Sequence, residues 1–439
     1  MTRSENLRQV ENSVYIELAV VFCLLVSLGF PGSLTKVVGE TVGKMMEYAA
    51  FLIEIALILF AGADTWQDVE LIRLDRKYAA LYIYVFFCFG LSMLVTFDRK
   101  AQIITCSRLV VTLMFVIWLQ ERYRLETLLE LICMAQGAFV LVTILFILRY
   151  PQYAYLSTED YTHALVGLYE TKNACGTQLD FGIAAVILLL REKRRHRQVP
   201  LRWWLLLAVQ IVLLLMCKAT GAIITAIVTL LPIYFFRHVR LPLALVYITV
   251  NIVFLFCMLT LMPYFEDILV AMGKDATLTG RIPMWQRIIE IMTNDHTMTG
   301  YGYGMFWRDP SALLKIQTGF SMRKDPFMAS LTTGAHNVVM ETWLNTGLLG
   351  IAAFFMSMLF SFRNILALSQ VQYEISATIM AFLTFNGLTE RCLGGNYDYR
   401  TVAVFLAMAI ACNAAGSVRR APAVPGAAKL DAAPVQNEG

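Results

Sequence analysis

Long apolar stretches alternate with short polar ones along almost the whole chain. Apolar runs at Val14–Phe30, Phe51–Ala61, Tyr78–Thr96, Ile103–Leu119, Leu128–Leu148 and Ile183–Leu190 are followed by six more. These are Trp203–Met216, Gly221–Phe236, Leu241–Met262, Leu348–Phe362, Ile375–Thr384 and Thr401–Ala415. With their flanks, most approach the roughly 20 residues that cross a bilayer. The pattern predicts an all-α integral membrane protein of about 12 transmembrane helices, Phe51–Ala61 and Ile375–Thr384 being the weakest spans. Strands are not expected, because only helices and closed barrels satisfy their backbone polar groups in lipid.

One segment interrupts the pattern. A large loop from Pro263 to Ala335 separates the ninth span from the tenth. The chain accordingly divides into N-terminal transmembrane helices (1–262), a large external loop with amphipathic helices (263–340), C-terminal transmembrane helices (341–416) and a tail (417–439). The tail is rich in Ala, Pro and polar residues and is expected to be disordered and cytoplasmic. No cleavable signal peptide is read at the start, where a polar stretch with acidic residues precedes the first apolar run and no small-residue cleavage site follows.

Orientation follows from the short loops. One side receives Arg73, Arg76, Lys77, Arg122, Arg124, the cluster Arg191, Lys193, Arg194, Arg195, Arg197 and Arg202, and Arg237 and Arg240. The other holds mainly Lys36, Lys44, Arg99, Lys100, Arg149 and Lys172. The positive-inside rule puts both termini in the cytoplasm and the large loop outside. The basic cluster is then a topology anchor rather than a nucleic-acid patch, since it lies in a short loop between spans.

Composition agrees: apolar residues make up 58% and charged ones 15%, unlike a soluble domain. The net charge of +4 calls for no partner beyond anionic headgroups. Seven of the nine cysteines (Cys23, Cys88, Cys106, Cys133, Cys217, Cys257, Cys412) fall in or at the ends of apolar runs, which argues for packing rather than a disulfide framework.

The candidate chemistry gathers on the expected outer face. Arg281 precedes an amphipathic stripe of Trp285, Ile288, Ile289 and Met292, and Pro283 suits the first turn of such a helix. A guanidinium beside a helix N-terminus favours phosphate; pairing with Asp275 or a lipid headgroup is the alternative. Gly300-Tyr301-Gly302-Tyr303-Gly304 lacks the lysine and strand–helix context of a nucleotide loop. Its glycines suit tight turns, with Tyr301, Tyr303 and Trp307 at an interface or against sugar faces. His336 suits a general base acting on a hydroxyl, while His336-Asn337 as a helix-capping or interfacial pair is the alternative. No zinc-like ligand spacing accompanies it, so no metal is assigned.

Lys172-Asn173 and Gly176 open the sixth span, with Asp180 on the same helical face as Asn173. Lys218 occupies a short outer turn. Arg391, Asp398 and Arg400 lie between the last two spans. Glu47 and Glu54 share one face of the second span, where acids are functional candidates unless ion-paired.

Taken together, these motifs resemble the O-antigen ligase and polymerase superfamily of polytopic bacterial glycan-assembly enzymes. The resemblance runs from about Leu168 to Arg400 and rests on Thr171-Lys172-Asn173 with Gly176; Thr279-Gly280-Arg281 with Trp285; Gly300-Tyr301-Gly302-Tyr303-Gly304 with Phe306-Trp307; and His336-Asn337 with Glu341, Gly347 and Gly350. The Lys-Asn and Gly-Tyr-Gly pieces are nearest the exopolysaccharide-polymerase branch. The resemblance implies a bacterial inner-membrane enzyme with its site on the periplasmic face. It transfers glycan from an undecaprenyl-pyrophosphate-linked donor to a sugar chain or lipid A-core, without cofactor, metal or nucleic acid. A chain-length regulator stays open as a partner. His336 would activate the acceptor hydroxyl and Arg281 would bind the pyrophosphate. Lys218, Lys172, Asn173, Asn337, Tyr301, Tyr303, Trp307 and Arg400 would contact substrate. The sequence departs from the family where many members carry a Ser-Arg pair and this chain reads Cys217-Lys218, a point charge in place of a fork. A small-anion transporter and a non-catalytic glycan-binding subunit are the competing classes, the former expecting its polar site near mid-membrane.

Overall fold

A computed structural model describes residues 3–29, 35, 37, 39–60, 75–158, 161–169, 171–195, 199–235, 239–261, 264, 281–321, 334–390 and 398–419. Helices α1 (Arg3–Ser27), α2 (Glu40–Phe60), α3 (Ala79–Val95), α4 (Arg99–Arg122) and α5 (Leu125–Arg149) precede a hairpin of β1 (Tyr155–Thr158) and β2 (Tyr161–Leu165). Then come α6 (Lys172–Arg195), α7 (Leu201–Met216), α8 (Thr220–Phe235) and α9 (Leu243–Thr260). Two shorter helices, α10 (Arg281–Asn294) and α11 (Pro310–Ser321), lead to α12 (Val338–Phe362), α13 (Gln370–Thr389) and α14 (Tyr399–Arg419).

Among the described residues, six helices are long and apolar enough to cross a membrane: Arg76–Val95, Arg99–Arg122, Leu125–Arg149, Lys172–Arg194, Leu243–Thr260 and Val338–Ala367. Val14–Ser27, Leu201–Met216, Thr220–Ile233 and Tyr399–Asn413 are shorter apolar helices. This is a multi-pass helical membrane protein. The two weakest apolar runs fall in α2, which carries Lys44, Glu47 and Glu54, and in α13. Helix α13 needs little hydropathy because protein surrounds it. It packs against α6, α8, α9, α12 and α14, and buries Glu374, Ser376, Thr378, Thr384 and Asn386. Polar side chains in a membrane bundle face such interiors.

The hairpin corrects the expectation of helices alone. It lies between the end of α5 and the start of α6, outside the long apolar runs, with Tyr155 opposite Leu165 in antiparallel register. The ban on open strand edges applies only inside the hydrocarbon. The expected tail falls almost wholly outside the described residues, although α14 carries helix as far as Arg419.

Helix α12 breaks at Gly347, with φ 66° and ψ −168°. The Gly-Tyr-Gly-Tyr-Gly stretch and the residues before it take up the backbone groups that the break frees. Tyr301 N–H donates to the Leu344 carbonyl at 2.8 Å and Gly302 N–H to that of Asn345 at 3.0 Å. In return, Leu348 N–H donates to the Thr297 carbonyl at 3.0 Å and Leu349 N–H to that of Met298 at 3.2 Å. A Cβ on Gly347 would sit 2.1 Å from the Met298 carbonyl carbon, and one on Gly300 2.6 Å from the Thr346 nitrogen. Both glycines also have positive φ, so both conformation and space require them. Tyr303 extends the joint, its N–H donating to Ser92 Oγ of α3 at 2.9 Å and its carbonyl accepting from Gln102 Nε2 of α4 at 3.1 Å.

The opposite end of the bundle is held by ion pairs. Arg191 meets Glu374 at 2.8 Å, joining α6 to α13. Lys193 reaches Glu126 at 3.3 Å and also Glu130, joining α6 to α5. Lys77 meets Glu121 at 2.6 Å. Arg240 donates to the carbonyls of Leu366 and Leu368 at 2.6 and 2.8 Å. Part of the expected topology anchor is therefore also helix-to-helix bonding.

Candidate active site

Arg281 is the first residue of α10, and the expected apolar stripe seats that helix. Trp285, Ile288 and Met292 are fully buried and Ile289 is half-buried, with Ile282, Met284 and Ile291 widening the buried face. The stripe packs beside Phe254 and Leu255 of α9 and Met340 and Leu344 of α12. Burying a tryptophan and several aliphatic side chains at about 25 cal/mol per Å² offsets much of the cost of fixing one short helix. Arg281 is thereby held at a defined place beside the start of α12.

His336 sits at φ 49°, a left-handed conformation uncommon for a residue other than glycine. Its neighbours hold it there. Trp285 Nε1 donates to the Ala335 carbonyl at 2.7 Å, and Ala335 N–H donates to Glu341 Oε2 at 2.7 Å. Glu341 is fully buried, and both its oxygens accept from Trp307 Nε1 at 3.2 Å. On the other side, Asn337 Oδ1 caps α12, accepting from the N–H groups of Val339 at 2.9 Å and Met340 at 3.1 Å. Asn337 Nδ2 donates to the Leu388 carbonyl of α13 at 3.3 Å.

Three cationic or basic groups converge on Glu390, the residue after α13. Its Oε1 lies 3.2 Å from Arg281 Nη2, and its Oε2 lies 3.2 Å from His336 Nδ1 and 3.7 Å from Arg400 Nη1. The Glu390 side chain is only 12% exposed, so these charges are poorly screened by water. Burial alone pushes its carboxyl upward, but His336, Arg281 and Arg400 outweigh burial and hold it at about 2. Arg400, at the start of α14, is fixed from its other side by Asp398, with Nε to Oδ1 at 3.0 Å.

The remaining expected site residues divide into two groups. Lys172 heads α6 and Lys218 follows α7. Lys172 Nζ donates to the Lys218 carbonyl at 3.5 Å, and Lys218 itself has φ 50°. Tyr399, next to Arg400, donates to Thr177 Oγ1 of α6 at 2.9 Å, which brings the head of α6 to the same end of the bundle as Glu390. Asn173 lies there half-buried, its carbonyl accepting from Thr177 Oγ1 at 3.0 Å. Tyr301 and Tyr303 are instead buried at 5% and 2% exposure in the joint with α12. Trp307 supports Glu341, and the Asn337 carboxamide is engaged in capping, so the capping alternative describes Asn337.

Arg391, Asp275, Thr279 and Gly280 lie outside the described residues. Glu47 forms the ion pair anticipated for one of the acids on its helix, with Arg108 at 3.1 Å, while Glu54 and Asp180 are each 1% exposed. The cysteines at 23, 88, 106, 133, 175, 217 and 412 are buried, Cys257 is half-buried, and none of these eight is in a disulfide. Among the described residues, no group of three or more His, Cys, Asp or Glu is arranged to hold a metal.

Glu390 was missed by sequence reasoning. The available signal was an acid beside basic residues in the segment between the last two spans. Glu341 stood among the motif residues without a role.

An apolar groove of about 1000 Å³, including its open side, runs between α8, α9 and α13. Val228 and Leu231, Val246 and Val250, and Met380 and Phe385 line it. Phe385 is five residues before Glu390, about 7.5 Å along the helix axis.

A family model described as O-antigen ligase matches residues 205–355. That stretch contains Lys218, Arg281, the Gly-Tyr-Gly-Tyr-Gly joint and His336, so the resemblance read from these motifs is borne out there. That stretch is similar to the O-antigen ligase family. Lys172, Glu390 and Arg400 lie outside the matched stretch. No curated protein matches the chain.

Proposed function

We propose that this protein is a membrane glycosyltransferase that joins glycan from an undecaprenyl-pyrophosphate-linked donor to a sugar hydroxyl, as an exopolysaccharide or O-antigen polymerase does. The observation that carries the reading is the convergence of Arg281 and His336 on one carboxylate, within and beside the O-antigen ligase segment. In this reading Arg281, assisted by Lys218, Lys172 and Arg400, binds the donor pyrophosphate. His336 takes the proton from the acceptor hydroxyl. The acceptor oxygen then bonds to the anomeric carbon as the bond to pyrophosphate breaks, and undecaprenyl pyrophosphate leaves with the electron pair. Fixed cations aimed at that growing charge lower the barrier. Attack from the face opposite the leaving group inverts the anomeric centre.

The apolar groove supports a lipid-linked donor, since it follows α13 toward Glu390 and can hold a polyprenyl chain. The cluster stands at the ends of α10, α12, α13 and α14, which weighs against a transporter with a site near mid-helix. The reading includes about 12 spans, cytoplasmic termini and a periplasmic site in the inner membrane. Transfer of finished polymer to lipid A-core is the second reading, because the matched family is described as O-antigen ligase.

Lipid-linked and surface glycan from a deletion strain decides between them. Single repeat units on lipid mark a lost polymerase, and long unligated polymer marks a lost ligase. Unchanged glycan on both lipid and surface would falsify the enzymatic reading.

A further inference from the structure

Glu390 is held by more than a structural salt bridge needs. One carboxylate bonds a guanidinium through Oε1 and an imidazole through Oε2, with a second guanidinium 3.7 Å from Oε2. The imidazole nitrogen it meets is Nδ1. A carboxylate can only accept there, so in the neutral ring Nδ1 carries the proton and Nε2 carries the lone pair. A histidine in that tautomer is ready to take a proton through Nε2, and the carboxylate stabilises the imidazolium that results.

We infer that Glu390 is a positioning residue for glycan transfer: it fixes the Nε2-basic tautomer and orientation of His336 while occupying Arg281 and Arg400 until the donor arrives. This rests on His336 being the base of the proposed reaction. Two consequences separate the role from simple structural support. Removing the charge should slow the proton-transfer step. It should also leave donor affinity equal or stronger, because Arg281 and Arg400 lose an internal competing anion. Among the described residues, the charged groups that contact the imidazole, the carboxylate it meets or its turn are Glu390 after α13, Arg281 on α10, Arg400 with its partner Asp398 at the start of α14, and Glu341 on α12 through Ala335 N–H. Of these, Glu390 contacts the ring directly.

The test uses purified full-length protein. Binding is measured with undecaprenyl pyrophosphate, and turnover with lipid-linked glycan extracted from the deletion strain. Glu390→Gln is expected to lower kcat by on the order of 10²-fold, with undecaprenyl pyrophosphate bound at least as tightly. Glu390→Asp keeps the charge but withdraws it by a methylene, so kcat falls while undecaprenyl pyrophosphate binding is kept. It also serves if Glu390→Gln does not fold. Wild-type kcat in Glu390→Gln or Glu390→Asp, with His336→Ala inactive, overturns the positioning role and leaves the proposed function standing. Parallel loss of kcat and of undecaprenyl pyrophosphate binding in the folded variants also overturns it. Turnover by His336→Ala at the wild-type rate removes the base itself, and with it both proposals.

Discussion

Trp285 Nε1 donates a 2.7 Å hydrogen bond to the carbonyl of Ala335, tying the helix that begins with Arg281 to the residue immediately before His336. The two side chains proposed to handle leaving group and acceptor are thus linked through one indole. Trp285→Phe keeps an aromatic ring but is smaller and has no donor, so the Ala335 carbonyl loses this partner at a cost of about 1–3 kcal/mol, with some buried packing lost besides. The expected result is a folded protein with reduced turnover and a lower unfolding temperature in detergent. A variant with both unchanged would show that the bond does not set the geometry.

The joint between the Gly-Tyr-Gly-Tyr-Gly stretch and α12 gives a stability prediction. Gly347→Ala places a methyl group 2.1 Å from the Met298 carbonyl carbon at φ 66°, so it must displace backbone rather than a flexible side chain. The expected loss exceeds the roughly 0.4–1 kcal/mol at stake in a compatible glycine-to-alanine change. Fluorescence-detected size-exclusion chromatography after a heat step measures it. Full retention of the monodisperse peak would show that the joint can move aside.

Much of this architecture was readable because its causes are local. Apolar runs announce helices whose faces meet lipid, and the spacing of Trp285, Ile288 and Met292 announces the buried stripe of α10. Arg281 and His336 were read as candidates from motif order alone. The convergence on Glu390 was not legible, since it joins residues 54 and 109 positions apart through the packing of α13. The burial of the tyrosines was not legible either. Beside glycines they suit a sugar face, yet the break at Gly347 offers free carbonyls that draw Tyr301 and Gly302 into the protein. Helix α13 gave a weak span signal because its neighbours, not lipid, surround it.

The proposed orientation rests on the uneven distribution of basic residues between the two sets of short loops. A cysteine at Lys315, whose side chain is 45% exposed on α11, is expected to react with a membrane-impermeant maleimide in whole cells. Labelling only after lysis would reverse the orientation and place the proposed site in the cytoplasm.

The depressed carboxyl of Glu390 predicts a pH dependence of stability. A carboxylate held near 2 when folded and near its ordinary 4.5 when unfolded contributes stability that is fully present above 4.5. The contribution is lost as pH falls from 4.5 toward 2, because the unfolded chain takes up the proton first. The gap in unfolding temperature between wild type and Glu390→Gln should therefore narrow as pH falls from 4.5 toward 2. A gap that does not change with pH across that window would mean that the carboxylate gains nothing from Arg281, His336 and Arg400.

The sharpest test of the phosphate role lies at Arg281. Its Nη2 meets one carboxylate oxygen at 3.2 Å, so the guanidinium is presented to an anion. A fork of N–H donors can hold Glu390 and a phosphate oxygen together, whereas an ammonium is a single point of charge. Arg281→Lys is therefore expected to lose more than a charge-preserving change ordinarily does, on the order of 10-fold in kcat/KM, the equivalent of about 1.4 kcal/mol. Arg281→Ala should lose further activity and weaken the binding of undecaprenyl pyrophosphate, and it should leave Glu390 with one guanidinium fewer. Polymer made at the normal rate by a stably expressed Arg281→Ala protein would remove the residue from the donor site, and the pyrophosphate would then have to be held by Lys172, Lys218 and Arg400.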